Sequence, residues 1–122
     1  MTVWNCALPR PVAPTPRILH VAERVWAAMR ATPEMAGPIL SRAMREERSL
    51  GSKERPVAAD LLLGLIRHES ALKRINAEPM QAWLQIATDG CPELPDPEDA
   101  VLAYAIALSL PEAIAREWWV RL

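Results

Sequence analysis

The hydrophobic positions of this chain recur at intervals of three and four residues, which is the spacing of one face of an α-helix. The first stripe follows Thr15, a residue type that caps helix N-termini, and Pro16, which is favoured at the first helical position. Its members are Ile18, Val21, Ala22, Val25, Trp26 and Met29. The pattern predicts a helix that begins at Pro16 and buries this stripe.

A second helix is predicted after Thr32 and Pro33, which repeat the cap-then-proline signal, and Gly37-Pro38 is expected to restart it. Apolar and charged positions then separate onto two faces. The predicted inner face is Ile39, Leu40, Ala43 and Met44, and the predicted outer face is Arg42, Arg45, Glu46 and Arg48.

Gly51 is predicted to stop the second helix and Ser52 to cap a third. Because Pro56 has no N–H to donate, regular hydrogen bonding is expected to begin only near Arg55. The third helix is predicted to run to about Ile75. Its predicted buried positions include Val57, Leu61, Leu65, Leu72 and Ile75.

Glu78-Pro79 is predicted to start a short helix through Trp83, Leu84 and Ile86. After a turn-rich loop, Asp96 is expected to cap a helix whose body, "AVLAYAIAL", is apolar nearly all round and is predicted to be the central buried helix. A last helix carries Trp118 and Trp119. No stretch alternates with period two, so the predicted fold is all-α: a compact bundle of five or six helices over residues 17–122. A proline-rich arm over residues 1–16 precedes it and is expected to be extended.

The charge divides between the two halves of the chain. Through Arg74 there are 12 Lys/Arg and 7 Asp/Glu, a net charge of +5, and from Ile75 onward there are 2 against 8, a net charge of −6. Such an asymmetry fits a polyanionic partner for the basic half, or an attraction between the halves in the folded protein. The sequence leaves these two interpretations open.

The remaining composition favours a cytoplasmic protein without membrane partners. Cys6 and Cys91 lie far apart and imply no disulfide framework. The N-terminus lacks the charged start and apolar core of a signal peptide. The longest apolar run, "AVLAYAIALSL", is too short to span a bilayer.

Catalytic signals are weak. The glycines lie too far apart for a nucleotide or phosphate loop, and His20 and His68 have no partner at metal-ligand spacing. Cys91 has no nearby base that would activate its thiol. The sequence therefore predicts a protein that is not an enzyme and holds no cofactor or metal ion.

The most specific stretch is "ILSRAMREERSLGSKERPVAADLLLGLIRHESAL", residues 39–72. It resembles the N-terminal NusB-like domain of bacterial ribosomal RNA cytosine-5 methyltransferases of the Fmu/Sun type. The positions that carry the resemblance are Leu50, Gly51, Ser52, Lys53, Glu54 and Arg55, followed by Gly64, Arg67 and His68. The stretch "DAVLAYAIALSLPEAIAREWWVRL" resembles later helices of the same domain. Pro56 departs from the family, which carries a basic residue or a small helix former there.

The resemblance implies a NusB-like fold that binds RNA or docks beside a catalytic domain. The methyltransferase domain itself, with its S-adenosylmethionine loop and Pro-Cys motif, is missing. The chain is thus expected to be either a fragment of a longer enzyme or a stand-alone relative. Stand-alone NusB proteins act in transcription antitermination, binding RNA and a ribosomal protein.

Basic residues around Gly51 are the candidate RNA contacts. Arg45, Arg48, Lys53 and Arg55 cluster there, Arg67 follows on the next helix, and free N–H groups at a helix start favour phosphate. The alternative is a solvated surface neutralised by the acidic residues Glu46, Glu47 and Glu54. The resemblance favours RNA.

The predicted function is that of a non-catalytic RNA-binding module whose partner is ribosomal RNA. The alternative is a protein-docking module of the same fold, which would engage a methyltransferase domain or a ribosomal protein. Trp118 and Trp119 are its candidate interface, because neighbouring residues point about 100° apart on a helix and one surface cannot take both. A weak homodimer through that end is also open.

Overall fold

The computed structural model describes residues 8–92, and all regular structure in this range is helical. The elements are α1 (Pro16–Ala31), a 3₁₀ turn (Pro33–Met35), α2 (Ala36–Glu46), α3 (Glu54–Leu72) and α4 (Pro79–Asp89). The all-α prediction is confirmed for this part of the chain. The predicted helices from Asp96 onward, including the apolar "AVLAYAIAL" helix, lie outside the described residues.

Helix α1 forms as the periodicity predicts. Pro16 occupies its first turn, and the Thr15 hydroxyl accepts a hydrogen bond from the Ile18 N–H at 3.4 Å. Such a cap satisfies one of the N–H groups that a helix start leaves open. The buried residues of α1 are Ile18, Val21, Ala22, Val25, Trp26 and Met29, which is the predicted stripe.

Helix α2 differs from its prediction in two respects. Thr32 does not cap it: a 3₁₀ turn intervenes, and the Thr32 hydroxyl instead donates to the Ala28 carbonyl at the end of α1. Of the four predicted inner positions only Leu40 is buried, and Ile39, Ala43 and Met44 are half-buried. Helix α2 packs on α1, and these three apolar side chains keep part of their surface exposed.

Helix α3 begins one residue before the predicted position. The Gly51 carbonyl accepts the N–H groups of Glu54 and Arg55, both at 3.1 Å, so Gly51 rather than Ser52 stands at the capping position. Pro56 has no N–H and cannot donate to the Ser52 carbonyl. This missing bond separates the turn closed by the Gly51 carbonyl from the regular α-helical hydrogen bonding of α3, which begins at Glu54. The helix ends at Leu72, and residues 73–75 continue as a turn.

The chain divides into two compact units, and the boundary falls within α3 between Leu63 and Gly64. Among the described residues, the first unit covers residues 12–63 and the second covers residues 8–11 and 64–92. In the first unit the buried apolar residues beyond those of α1 are Leu40, Leu50, Ala58, Leu61 and Leu62.

In the second unit, α3 meets α4 at a glycine. A Cβ atom placed on Gly64 would lie 2.5 Å from Cζ2 of Trp83, whose side chain is buried. One turn further along α3, the His68 ring lies 5.6 Å from the Trp83 ring, centroid to centroid. Burial lowers the pKa of His68, and the neighbouring Arg67 charge lowers it further, so the neutral imidazole is favoured against the indole.

Residues 8–15, which precede α1, are non-helical, and Arg10 attaches them to α4. Arg10 Nε donates to the Ala87 carbonyl at 3.0 Å, and Arg10 Nη2 donates to the Thr88 carbonyl. These carbonyls belong to the last turn of α4. Carbonyl groups in that turn lack intrahelical donors, and the negative end of the helix dipole lies there. Gly90 then ends the helix with a φ of +82°, a conformation that suits a residue without a Cβ.

Within residues 8–92, no helix has the length and apolar content needed to cross a lipid bilayer.

The close approach of Gly64 to Trp83 predicts an asymmetric response to Gly→Ala substitution. Gly64→Ala should lower the free energy of unfolding by about 1–3 kcal/mol, because the new methyl group would overlap a buried ring and force the packing to shift. Gly37→Ala is the matched control, since open space surrounds Gly37. It should leave stability unchanged or raise it by up to about 1 kcal/mol through helix propensity. Denaturant unfolding measures both, and equal stabilities would show that Trp83 does not lie against Gly64.

Candidate nucleic-acid interface at the α2–α3 junction

Residues 47–53, here called the junction loop, connect α2 to α3 within the first unit. Leu50 is its internal anchor and is only 2% exposed. On either side of Leu50, the backbone groups of the loop are bonded to charged side chains. The loop is therefore held both by apolar burial and by hydrogen bonds.

Arg55 bonds the loop from the first turn of α3. Its Nε donates to the Leu50 carbonyl at 3.2 Å, and its Nη2 donates to the Glu47 carbonyl at 2.8 Å. Glu47 is the C-terminal cap residue of α2, so the Arg55 guanidinium supplies a positive charge and a donor where the helix leaves carbonyls open. Arg55 is half-buried as a result.

Glu47 bonds the loop from its other end. Its Oε1 accepts the Ser49 N–H at 3.3 Å and the Ser49 hydroxyl at 2.6 Å, and its Oε2 accepts a hydrogen bond from Arg24 of α1. These interactions favour the carboxylate and hold the pKa of Glu47 below its ordinary value. The Ser49 hydroxyl makes the largest contribution, which outweighs the opposing effect of burial.

The other two acidic residues near the junction are paired in the same way. Glu54 Oε1 accepts the Gly51 N–H at 2.9 Å and lies 3.6 Å from Arg17 Nη1. Glu46 accepts a hydrogen bond from Arg42 Nε at 3.0 Å, one helical turn earlier on α2. Each acid of the junction therefore has a basic partner, and none of those partners is a predicted RNA contact.

The structure distributes the predicted RNA-binding residues over three environments. Arg45, in the last turn of α2, and Arg48 and Lys53, in the junction loop, are exposed and form no ion pair with any residue between 8 and 92. Arg55 is hydrogen-bonded to the loop backbone. Arg67 is also exposed, and it belongs to the part of α3 in the second unit.

A shallow groove of about 480 Å³ lies between α1 and α2 in the first unit. Its floor is apolar, and its charged rim consists of the pairs Arg24–Glu47 and Arg42–Glu46. Because these four groups are paired with each other, the rim offers a ligand no unpaired charge. The exposed cations of the junction, in contrast, form no ion pair with any residue of the described range.

The two described tryptophans are buried: Trp26, in the predicted stripe of α1, is 7% exposed and Trp83 is 2% exposed. Neither indole has a free face on which a base could stack. The predicted interface residues Trp118 and Trp119 lie outside the described residues.

Two roles at the junction were absent from the sequence-based prediction, namely Arg55 and Glu47 as loop anchors. Glu54 could have been recognised, because Gly51-x-x-Glu54 has the spacing of a capping box. The reach of Arg55 back to Glu47 spans 8 residues and has no sequence signature.

Comparison with known proteins adds no assignment: no protein-family model, no curated protein and no solved structure matches the chain. In the described part of the chain, His, Cys, Asp and Glu side chains form no group of three or more that could hold a metal ion.

The environment of Glu47 predicts a contribution to stability that depends on pH. A carboxyl whose pKa is lowered on folding stabilises the folded state above its ordinary pKa of 4.5, and this contribution is lost as the pH falls through the lower value of the folded state. Glu47→Gln should therefore be less stable than the wild type at pH 7, and the difference should shrink below a pH of about 4.5.

Glu46→Gln is the control, because Glu46 forms only an exposed pair with Arg42. It should change stability little at either pH, as exposed ion pairs contribute little. Thermal unfolding followed across the pH range measures all three proteins. A constant difference between the wild type and Glu47→Gln would contradict the loop-anchoring role of the carboxylate.

Proposed function

We propose that this protein is a non-catalytic RNA-binding module with a NusB-like helical fold, related to the RNA-binding domain of ribosomal RNA cytosine-5 methyltransferases. Its RNA contacts are the exposed cations of the α2–α3 junction. It works in the cytoplasm, where its partner is structured ribosomal RNA.

One observation carries the proposal: the acids at the junction are already paired, and their partners are other arginines. Glu46, Glu47 and Glu54 are paired with Arg42, Arg24 and Arg17, respectively. The alternative interpretation, a surface that neutralises itself, would pair those acids with the exposed cations. Instead, Arg45, Arg48 and Lys53 keep their charges for an external anion.

The chemistry of these residues favours the phosphate backbone over the bases. Arginine and lysine on exposed stems neutralise phosphates and displace counterions, which makes binding dependent on salt. Stacking on unpaired bases needs exposed aromatic rings, and both tryptophans within residues 8–92 are buried. The described surface is thus suited to a folded RNA recognised through its backbone.

The resemblance supports the same surface. The junction loop and the start of α3 contain the Leu-Gly-Ser-basic-acidic-Arg turn on which the resemblance rests. Arg67, on the next part of α3, belongs to the same sequence motif and remains a proposed contact.

The proposal predicts a change in the salt dependence of RNA binding. The double variant Arg48→Ala/Lys53→Ala should bind a synthetic hairpin RNA more weakly than the wild type. The slope of log K against log salt concentration should fall by about 1.4–1.8, corresponding to the loss of two phosphate contacts. Fluorescence anisotropy titrations at several salt concentrations measure both quantities.

Lys73→Ala removes one exposed positive charge from the turn after α3 and serves as the control for net charge. It should keep the wild-type slope. A wild-type protein without salt-dependent RNA binding, or a double variant that retains the full slope, would exclude the junction as an RNA site. A single-stranded homopolymer of equal length should bind more weakly than the hairpin.

A further inference from the structure

We infer that Arg55 is a positioning residue of the proposed RNA site: it fixes the junction loop from which the phosphate-binding side chains project, and it makes no phosphate contact itself. This inference rests on the proposed function. It changes the role of one predicted contact and adds Glu47 as a second support.

One edge of the Arg55 guanidinium, formed by Nε and Nη2, is already engaged by the protein. Arginine binds phosphate most effectively through two parallel N–H donors of its planar fork. In Arg55, Nε and Nη2 instead donate to the Leu50 and Glu47 carbonyls, at 3.2 and 2.8 Å. A bidentate phosphate contact through the Nε–Nη2 edge would have to break both bonds and leave two loop carbonyls without a donor, at a cost in stability.

The same two bonds fix the backbone between the ends of the loop. Together with the buried Leu50 and the Glu54–Gly51 bond, they hold the segment that carries Arg48 and Lys53. Glu47 holds Ser49, the residue that follows Arg48. Arg48 and Lys53 therefore extend from a backbone that is ordered before RNA arrives, which lowers the entropy lost on binding.

Lys53 provides a matched comparison, because it carries the same charge two residues before Arg55 but is exposed and unpaired among the described residues. The experiment compares Lys53→Ala and Lys53→Arg with Arg55→Ala and Arg55→Lys. Hairpin RNA affinity and its salt slope are measured for each variant. Hydrogen exchange at the amides of residues 49–53 is measured in the free proteins.

For a contact residue, charge is what matters. Lys53→Ala should lower the salt slope by about 0.7–0.9, and Lys53→Arg should restore affinity and slope. Loop exchange should stay at the wild-type rate in both Lys53 variants.

For a positioning residue, the planar guanidinium that bridges the two loop carbonyls determines the effect of a substitution. Arg55→Ala should weaken binding about tenfold, as expected when roughly one residue must be ordered on binding, while the salt slope stays unchanged. Arg55→Lys keeps the charge but cannot bridge the two carbonyls, so it should not restore affinity. Loop exchange should be faster in both Arg55 variants.

Three results would overturn the inference: Arg55→Lys binding like the wild type, Arg55→Ala losing as much salt slope as Lys53→Ala, or faster loop exchange with unchanged affinity. Failure of the proposed function looks different. In that case the wild type shows no salt-dependent binding, whatever the exchange rates of the loop.

Discussion

Helix ends leave backbone carbonyls and amides without partners, and in the described part of this chain charged side chains satisfy several of them. Arg55 donates to the Glu47 carbonyl at the end of α2 and to the Leu50 carbonyl of the junction loop. Glu54 accepts the Gly51 N–H before α3, and Arg10 donates to carbonyls in the last turn of α4. A chain with 24% charged residues and short connections thus uses part of its charge for structure. The conformation of the junction loop depends on this use, because the backbone groups of the loop are bonded mainly to side chains.

These pairings also determine which charged side chains near the junction loop stay exposed and unpaired. Glu47 and Glu54 each act on the loop backbone and on an arginine of α1, so their negative charge is compensated locally. Arg48 and Lys53, which stand next to them in sequence, have no acidic partner among residues 8–92. Counting charges along the sequence gives nearly equal numbers of acids and bases around Gly51, whereas pairing in three dimensions separates them into a compensated inner set and an exposed basic set.

Much of the helical architecture could be predicted from the sequence, because it depends on local periodicity. The stripe of α1, the Thr15 cap and the start of α4 at Pro79 follow directly from spacing and residue type. Serine is a common cap, so residue type favours Ser52 as the cap of α3, but Glu54 reaches back to the Gly51 N–H and makes glycine suitable there. Sequence placed the cationic residues at the junction but could not separate Arg55 from Lys53. The difference between them lies in contacts made across the loop, and these become visible only when the loop has a conformation. Gly64 illustrates the same limit, since its close approach to Trp83 joins positions on two different helices.

The two hydrogen bonds of Arg10 to α4 are long-range: Ala87 lies 77 positions and Thr88 lies 78 positions further along the chain. By the logarithmic scaling of loop closure, bringing together the ends of a chain of that length costs about 4 kcal/mol of entropy, and two hydrogen bonds from a charged donor contribute about 3–6 kcal/mol. The attachment of Arg10 is therefore close to neutral by itself and adds stability mainly where other contacts already hold the arm near the helix. Such a long-range contact raises the contact order of the fold, which is associated with slower folding.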